Sequence, residues 1–246
     1  MPADLVQLKI ERAEMHIDEM ERCLSVCIHD VIPYQLAIRD DPDKGESVLY
    51  VKTAQELPPI LSLIIGDAIS NLYNSLDYLA CELVTTKERV SSQTAFPITD
   101  VVPTSKKQKS RYEKQVCGMG EEVKKIIEGM EPYRGRDNNL WTLHKLNNIN
   151  KHRALLTVAY GALILSPSEE LKNHVALQEG EELLRLPIAF PDKDKIRIVP
   201  TIAFNEPEAD IVSHPVMTVV RGCLRDVRRV ADVLQAYRRT HFMAPV

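Results

Sequence analysis

The sequence predicts an α+β protein, a helical bundle of about four long helices packed beside an antiparallel β-sheet. Three observations predict it. Apolar residues recur at helical spacing in several long segments, most clearly at 215–239. Alternating β-formers, YQLAIRD and SVLYVK, flank the turn DPDKGE at 41–46. Between 158 and 206 the chain changes to short strand-like runs separated by prolines and charged turns.

The elements follow in order. A first helix spans about 3–30, with Val6, Ile10, Ile17, Leu24 and Ile28 towards one side, and Pro33 ends it. A hairpin occupies about 34–53. Pro58 and Pro59 open the next helix, about 59–86, where a missing N–H does no harm. The segment 87–103 is irregular. Two shorter helices within 104–130 are separated by GMG at 118–120, and EPYRGRDNN at 131–139 is a loop. A helix at about 139–157 leads into the strand region 158–206. The last helix, 215–239, carries the stripe Val216, Val219, Val220, Cys223, Val227, Val230 and Leu234. Strands from both halves of the chain are expected in one sheet, so residues 1–246 read as a single domain.

Composition narrows the function classes. The 246 residues carry a net charge of -4, so attraction to nucleic acid or an anionic membrane must be local. The apolar runs are short for a membrane span, and the first helix is charged rather than signal-like. Five cysteines form no framework, which predicts a cytoplasmic protein with reduced thiols. His16, Cys23 and Cys27 read as helix-face residues rather than a metal cluster, and no metal or cofactor is assigned. Walker, GxGxxG, HExxH and nucleophile-elbow motifs are absent from the sequence.

Two helices carry unusual polarity. In the 59–86 helix, Leu61, Ile65, Ala68, Leu72, Leu76, Leu79 and Leu83 share the core arc. Asp67, Ser70, Asn71, Asn74, Asp77 and Tyr78 occupy the other side. No Lys or Arg occurs from Leu57 to Thr86, whereas a solvated face usually carries long charged side chains. In the 139–157 helix, His144, Asn147 and Lys151 fall within the arc of Leu140, Leu143, Ala154 and Leu155. Buried polar groups need partners, and Asp67, Asn71 and Asp77 are the candidates. The two stretches are therefore expected to face one another, within the chain or across a dimer. This makes His144, Lys151 and His152 candidate catalytic residues. Asp67, Asn71, Asn74, Asp77, Tyr78, Asn147 and Arg153 are candidate binding residues. A packed structural network is the alternative.

The same stretches carry a resemblance. The sequence has Gly66, Asp67, Asn71, Leu72, Leu76 and Asp77, then FPI at 96–98, PY at 132–133 and LWTLHKLNNINKHR at 140–153. This pattern resembles a family of uncharacterised bacterial proteins whose Arg-x4-His element is similar to the signature of HEPN-type helical ribonucleases. The resemblance implies a homodimer in which Arg and His act together on RNA, in a defence or stress system. Here Tyr73 stands at the Arg position, Tyr78 at the His position, and Asn150 where the family has Asp. A tyrosine of pKa roughly 10 is a poor base at neutral pH and carries no fixed positive charge. The implied function is a catalytically degenerate module associated with RNA, a nucleotide or a protein. An enzyme acting on phosphates through Asp67, Asp77, His144, Lys151 and His152, and a structural assembly protein, are the alternatives.

Two basic stretches remain. The last helix carries Arg221, Arg225, Arg228, Arg229, Arg238 and Arg239, and TSKKQKSRYEKQ spans 104–115. Either could follow phosphates, but both read first as solvated helix exteriors.

Overall fold

A computed structural model describes residues 4–29, 34–85, 90–152, 156–165, 172–189 and 196–242. Helices form in the segments predicted for them: α1 (Leu5–His29), α2 (Pro59–Glu82), α3 (Lys106–Gln115), α4 (Glu121–Gly129), α5 (Leu140–His152) and α6 (Val216–Phe242). The strands are β1 (Tyr34–Asp41), β2 (Glu46–Ala54), β3 (Val158–Leu165), β4 (Lys172–Val175), β5 (Glu182–Pro187), β6 (Arg197–Glu206) and β7 (Ile211–Pro215). The fold is mixed α+β. Among the described residues there are six α-helices, and α1, α2 and α6 exceed twenty residues. The expected single sheet is instead two antiparallel sheets, in the orders β1-β2-β5 and β4-β3-β6-β7. No described helix is long and apolar enough to cross a membrane.

The chain divides into two compact units, each assembled from separated segments. The first comprises Met1–Asp18, Ile64–Ala154 and Val219–Val246, the second Glu19–Leu63 and Leu155–Thr218. The second unit holds both sheets. Its hairpin turns at Pro42–Gly45, where Gly45 takes a φ of 67° that a side chain would resist. β2 then pairs with β5, Val48 opposite Arg185, so the first sheet does join both halves of the chain. β7 lies beyond the expected strand region. Pro207, Glu208 and Asp210 form a turn there that hides the short run Ile211–Val212, and Asp210 adopts a left-handed φ of 55°.

The first unit is helical and positions the site. Leu72, Leu76 and Leu79 of α2 are fully buried, as are Leu143 and Leu146 of α5 and Val220 and Val227 of α6. The N-terminus of α5 is capped from another helix. Asp226 of α6 accepts from the Asn139 backbone N–H at 2.8 Å and from its side-chain Nδ2 at 2.7 Å. A buried carboxylate at a helix start satisfies orphan donors and complements the helix dipole. Gly222 permits the approach, since a Cβ there would stand 2.8 Å from Asn139 Nδ2.

Candidate functional site

The site grows from the close packing of α5 on α2. Gly66 is the contact point: a Cβ there would meet Asn150 Oδ1 at 2.4 Å. With no Cβ in the way, Asn150 Nδ2 donates to the Gly66 carbonyl at 3.3 Å and to Ser70 Oγ at 3.1 Å. An Asp at 150 would have no hydrogen to donate to that carbonyl, so the Asn matches this local structure.

One to two turns further along α2, Tyr73 meets His144. Tyr73 Oη lies 3.2 Å from Nδ1, and the ring centroids are 5.6 Å apart. Asn148, one turn along α5, places its Nδ2 3.0 Å from His144 Nε2. An amide nitrogen only donates, so Nε2 is the acceptor and Nδ1 carries the proton towards the Tyr73 oxygen. Both ring nitrogens are thereby engaged in the neutral form. A second proton on Nε2 would point at the Asn148 amide hydrogens. Burial, followed by the charges of Lys145 and Arg111, pushes the His144 pKa down to about 4. Burial and the nearby Asp77 charge push the Tyr73 phenol above its ordinary range.

Asp77 lies one turn beyond Tyr73. Its Oδ1 accepts from the Phe96 backbone N–H at 3.2 Å. Burial raises its carboxyl above the usual range, opposed by that hydrogen bond and by the Lys151 charge. The Asp77 contact anchors the FPI segment, whose Phe96 and Ile98 are buried. Thr99 bridges in parallel to Tyr133, with its N–H donating to the Pro132 carbonyl at 3.1 Å. Asp100 Oδ1 then accepts from Trp141 Nε1 at 2.8 Å and pairs with Lys145 at 2.9 Å. The hydrogen bond from Lys145 holds the Asp100 carboxyl below its ordinary range. All four motif segments, at 66–77, 96–98, 132–133 and 140–152, thus meet in one frame. Beside it lies a cavity of about 110 Å³ lined by Ile98, Thr99, Asp100, Val101, Gln108, Arg111 and His144.

The structure gathers some expected site residues and separates others. Asp77, His144 and Lys151 surround Tyr73, with Lys151 Nζ 5.1 Å from the centre of its ring. The two polar stretches therefore face one another within one chain. Lys151 is exposed rather than buried, because its long stem carries the ammonium over the tyrosine ring to solvent. His152, Asp67 and Tyr78 are also exposed. Asn71 turns to α1, its Oδ1 accepting from Lys9 at 3.1 Å while its Nδ2 donates to the Asp67 carbonyl at 2.8 Å. Asn74 is half-buried. Asn147 is fully buried, and neither of its amide atoms has a hydrogen-bond partner among the described residues. Arg153 lies outside the described residues.

Sequence reasoning missed Tyr73 as a partner, and it missed Arg111, Asp100 and Asn148. Tyr73 offers one usable signal, a hydroxyl-bearing ring beside the core leucines of a helix that also carries Gly66. Arg111 belongs to the basic stretch 104–115 noted above, but no local pattern places it beside His144, and Asp100 reaches the site from a distant segment with no signal of its own. The arginines of α6 are largely occupied. Arg225 pairs with Asp226, Arg228 with Glu14 and Arg238 with Glu82. Among the described residues no group of three or more His, Cys, Asp and Glu side chains is arranged to hold a metal ion. No protein-family model matches the chain, and neither a curated protein nor a solved structure does.

Proposed function

We propose that this chain is a HEPN-like, RNA-associated module that holds RNA without cleaving it. The observation that carries the reading is the Tyr73–His144–Asn148 chain. It occupies both nitrogens of the histidine, and burial disfavours the imidazolium. A general base or acid needs a pKa near the working pH and a free proton path to substrate. His144 has neither, and a raised Tyr73 phenol supplies no base. Around this histidine stand two positive charges, Arg111 beside the His144 cavity and exposed Lys151 above Tyr73, while exposed His152 is not among the residues that meet Tyr73 or His144. Such charge favours a phosphate backbone without chemistry at a reacting atom. A homodimer belongs to the same proposal, and sedimentation equilibrium showing only monomer removes that part.

The test is fluorescence anisotropy on a labelled single-stranded RNA, with recovered RNA run on a gel, with and without divalent metal. Binding that weakens steeply with salt and leaves the RNA intact is the expected result. Cleavage by wild type that His144→Gln abolishes would overturn the reading in favour of an enzyme. Absence of binding would also overturn it.

A further inference from the structure

We propose that a groove along α3 is a binding site for neighbouring phosphate groups, supplied either by a free polyphosphate or by a nucleic-acid backbone. The helix reads KKQKSRYEKQ, and Lys107, Ser110, Arg111 and Lys114 recur at i, i+3, i+4 and i+7, which is one face. With Gln93 and Gln115 they line an open groove of about 440 Å³. That volume lies within the range of about 300–1,000 Å³ typical of ligand clefts. Among the described residues the lining holds three cations and no carboxylate, on a chain whose net charge is -4.

The cations are available. Among the described residues none of Lys107, Arg111 and Lys114 forms an ion pair, in contrast to the α6 arginines that pair with Asp226, Glu14 and Glu82. Glu113, the acid within α3, is turned to Lys124 of α4 at 3.5 Å. The presenting helix is also fixed. Ser105 and Gln108 form a reciprocal capping box at its start, and buried Tyr112 bonds Glu128 at 3.1 Å. The cationic face is thus held in place before any ligand arrives, which lowers the ordering cost of binding.

The lining also sets the ligand class. From Lys107 to Lys114 the helix rises about 10 Å, enough to engage two or three adjacent phosphates. Ser110 and the two glutamines add neutral hydrogen-bonding groups. Among the described residues no aromatic side chain lines the groove, so the lining they form offers phosphate contacts and no base-stacking platform. Arg111 also lines the cavity that contains His144, which couples the groove to that site. An anion on Arg111 screens one of the charges that depress His144, so the imidazole midpoint should rise on binding.

For the nucleic-acid source the inference rests on the RNA-associated reading, whereas a free anion tests it alone. The experiment is isothermal titration of the full chain with inorganic pyrophosphate and, separately, with a short single-stranded RNA. Wild type is compared with the double variant Arg111→Gln, Lys114→Gln and with Lys125→Gln, an exposed control on α4. Circular dichroism and a melting curve check that the double variant folds. The expected result is pyrophosphate binding that the double variant weakens about a hundredfold and the control leaves unchanged. Wild type that does not bind pyrophosphate, or a folded double variant that binds it equally, overturns the proposal. Parallel loss of RNA binding assigns the groove to the strand. RNA binding unaffected by the double variant, with pyrophosphate binding lost, confines the groove to free polyphosphates. If RNA binds wild type and double variant alike and pyrophosphate binds neither, the groove is overturned while the RNA reading stands.

Discussion

Tyr73 and His144 stand 3.2 Å apart across the α2–α5 contact, and the second nitrogen of the histidine is taken by Asn148. The imidazole is therefore a neutral connector between two helices, and its charge state should be visible in stability. His144 falls from an ordinary 6.5 to about 4 in the fold. A group whose folded pKa is depressed contributes stability above its unfolded pKa and loses it as pH falls through the folded value. The window is therefore pH 6.5 down to about 4, worth on the order of 3 kcal/mol. Asp77, whose pKa is raised, slopes the opposite way, gaining stability as it protonates. Urea unfolding across this range should show wild type losing stability more steeply than His144→Gln. Equal slopes would mean the histidine does not resist protonation.

Gly66 and Asn150 define the helix contact, so changes there should be felt in stability. Gly66→Ala forces the Asn150 amide away from both of its partners and should cost about 1–3 kcal/mol. Asn150→Asp removes the donor to the Gly66 carbonyl and should cost a similar amount, about 1–3 kcal/mol. Denaturant midpoints measure both. Wild-type stability in either variant would show that the contact is looser than described.

Asp77 acts as an acceptor for Phe96, not as a charge the fold requires. Asp77→Asn retains an acceptor oxygen and removes a partly desolvated charge, so its stability should fall within about 1 kcal/mol of wild type or above it. Asp77→Ala strands the Phe96 N–H and should cost about 1–2 kcal/mol. Equal losses in the two variants would make the negative charge itself the requirement.

Asn147 is fully buried with neither amide atom hydrogen-bonded among the described residues. Replacing an unsatisfied amide by an apolar group of similar volume removes a desolvation penalty. Asn147→Leu should therefore raise stability by about 1–2 kcal/mol. A loss of stability would reveal a polar role for this side chain.

Much of the fold is written in local chemistry. The hairpin follows from PDKG between alternating β-formers, α2 begins at the proline that can open it, and α6 follows its apolar stripe. The division into two sheets is not local, because β2 meets β5 across more than a hundred residues and no short-range pattern specifies that register. At the site, helical spacing correctly brings His144 to the α2 face. It names Asp77, which does lie within charge range of Lys151, but it passes over Tyr73 as the partner of His144, because the resemblance presents that tyrosine only as a replacement for arginine. It also buries Lys151, because a helical wheel records where a Cβ starts and not where a flexible ammonium ends.

The most direct test is the titration of His144 by nitrogen-detected NMR in the full chain, from about pH 8 down to about pH 4. A neutral imidazole with its proton on Nδ1 is expected through neutral pH, with a midpoint near the depressed value of about 4. A midpoint near the ordinary 6.5, or a ring with no fixed tautomer, would contradict it. His144 would then be free for acid–base chemistry, and the non-cleaving reading would fall with the Tyr73–His144 pair.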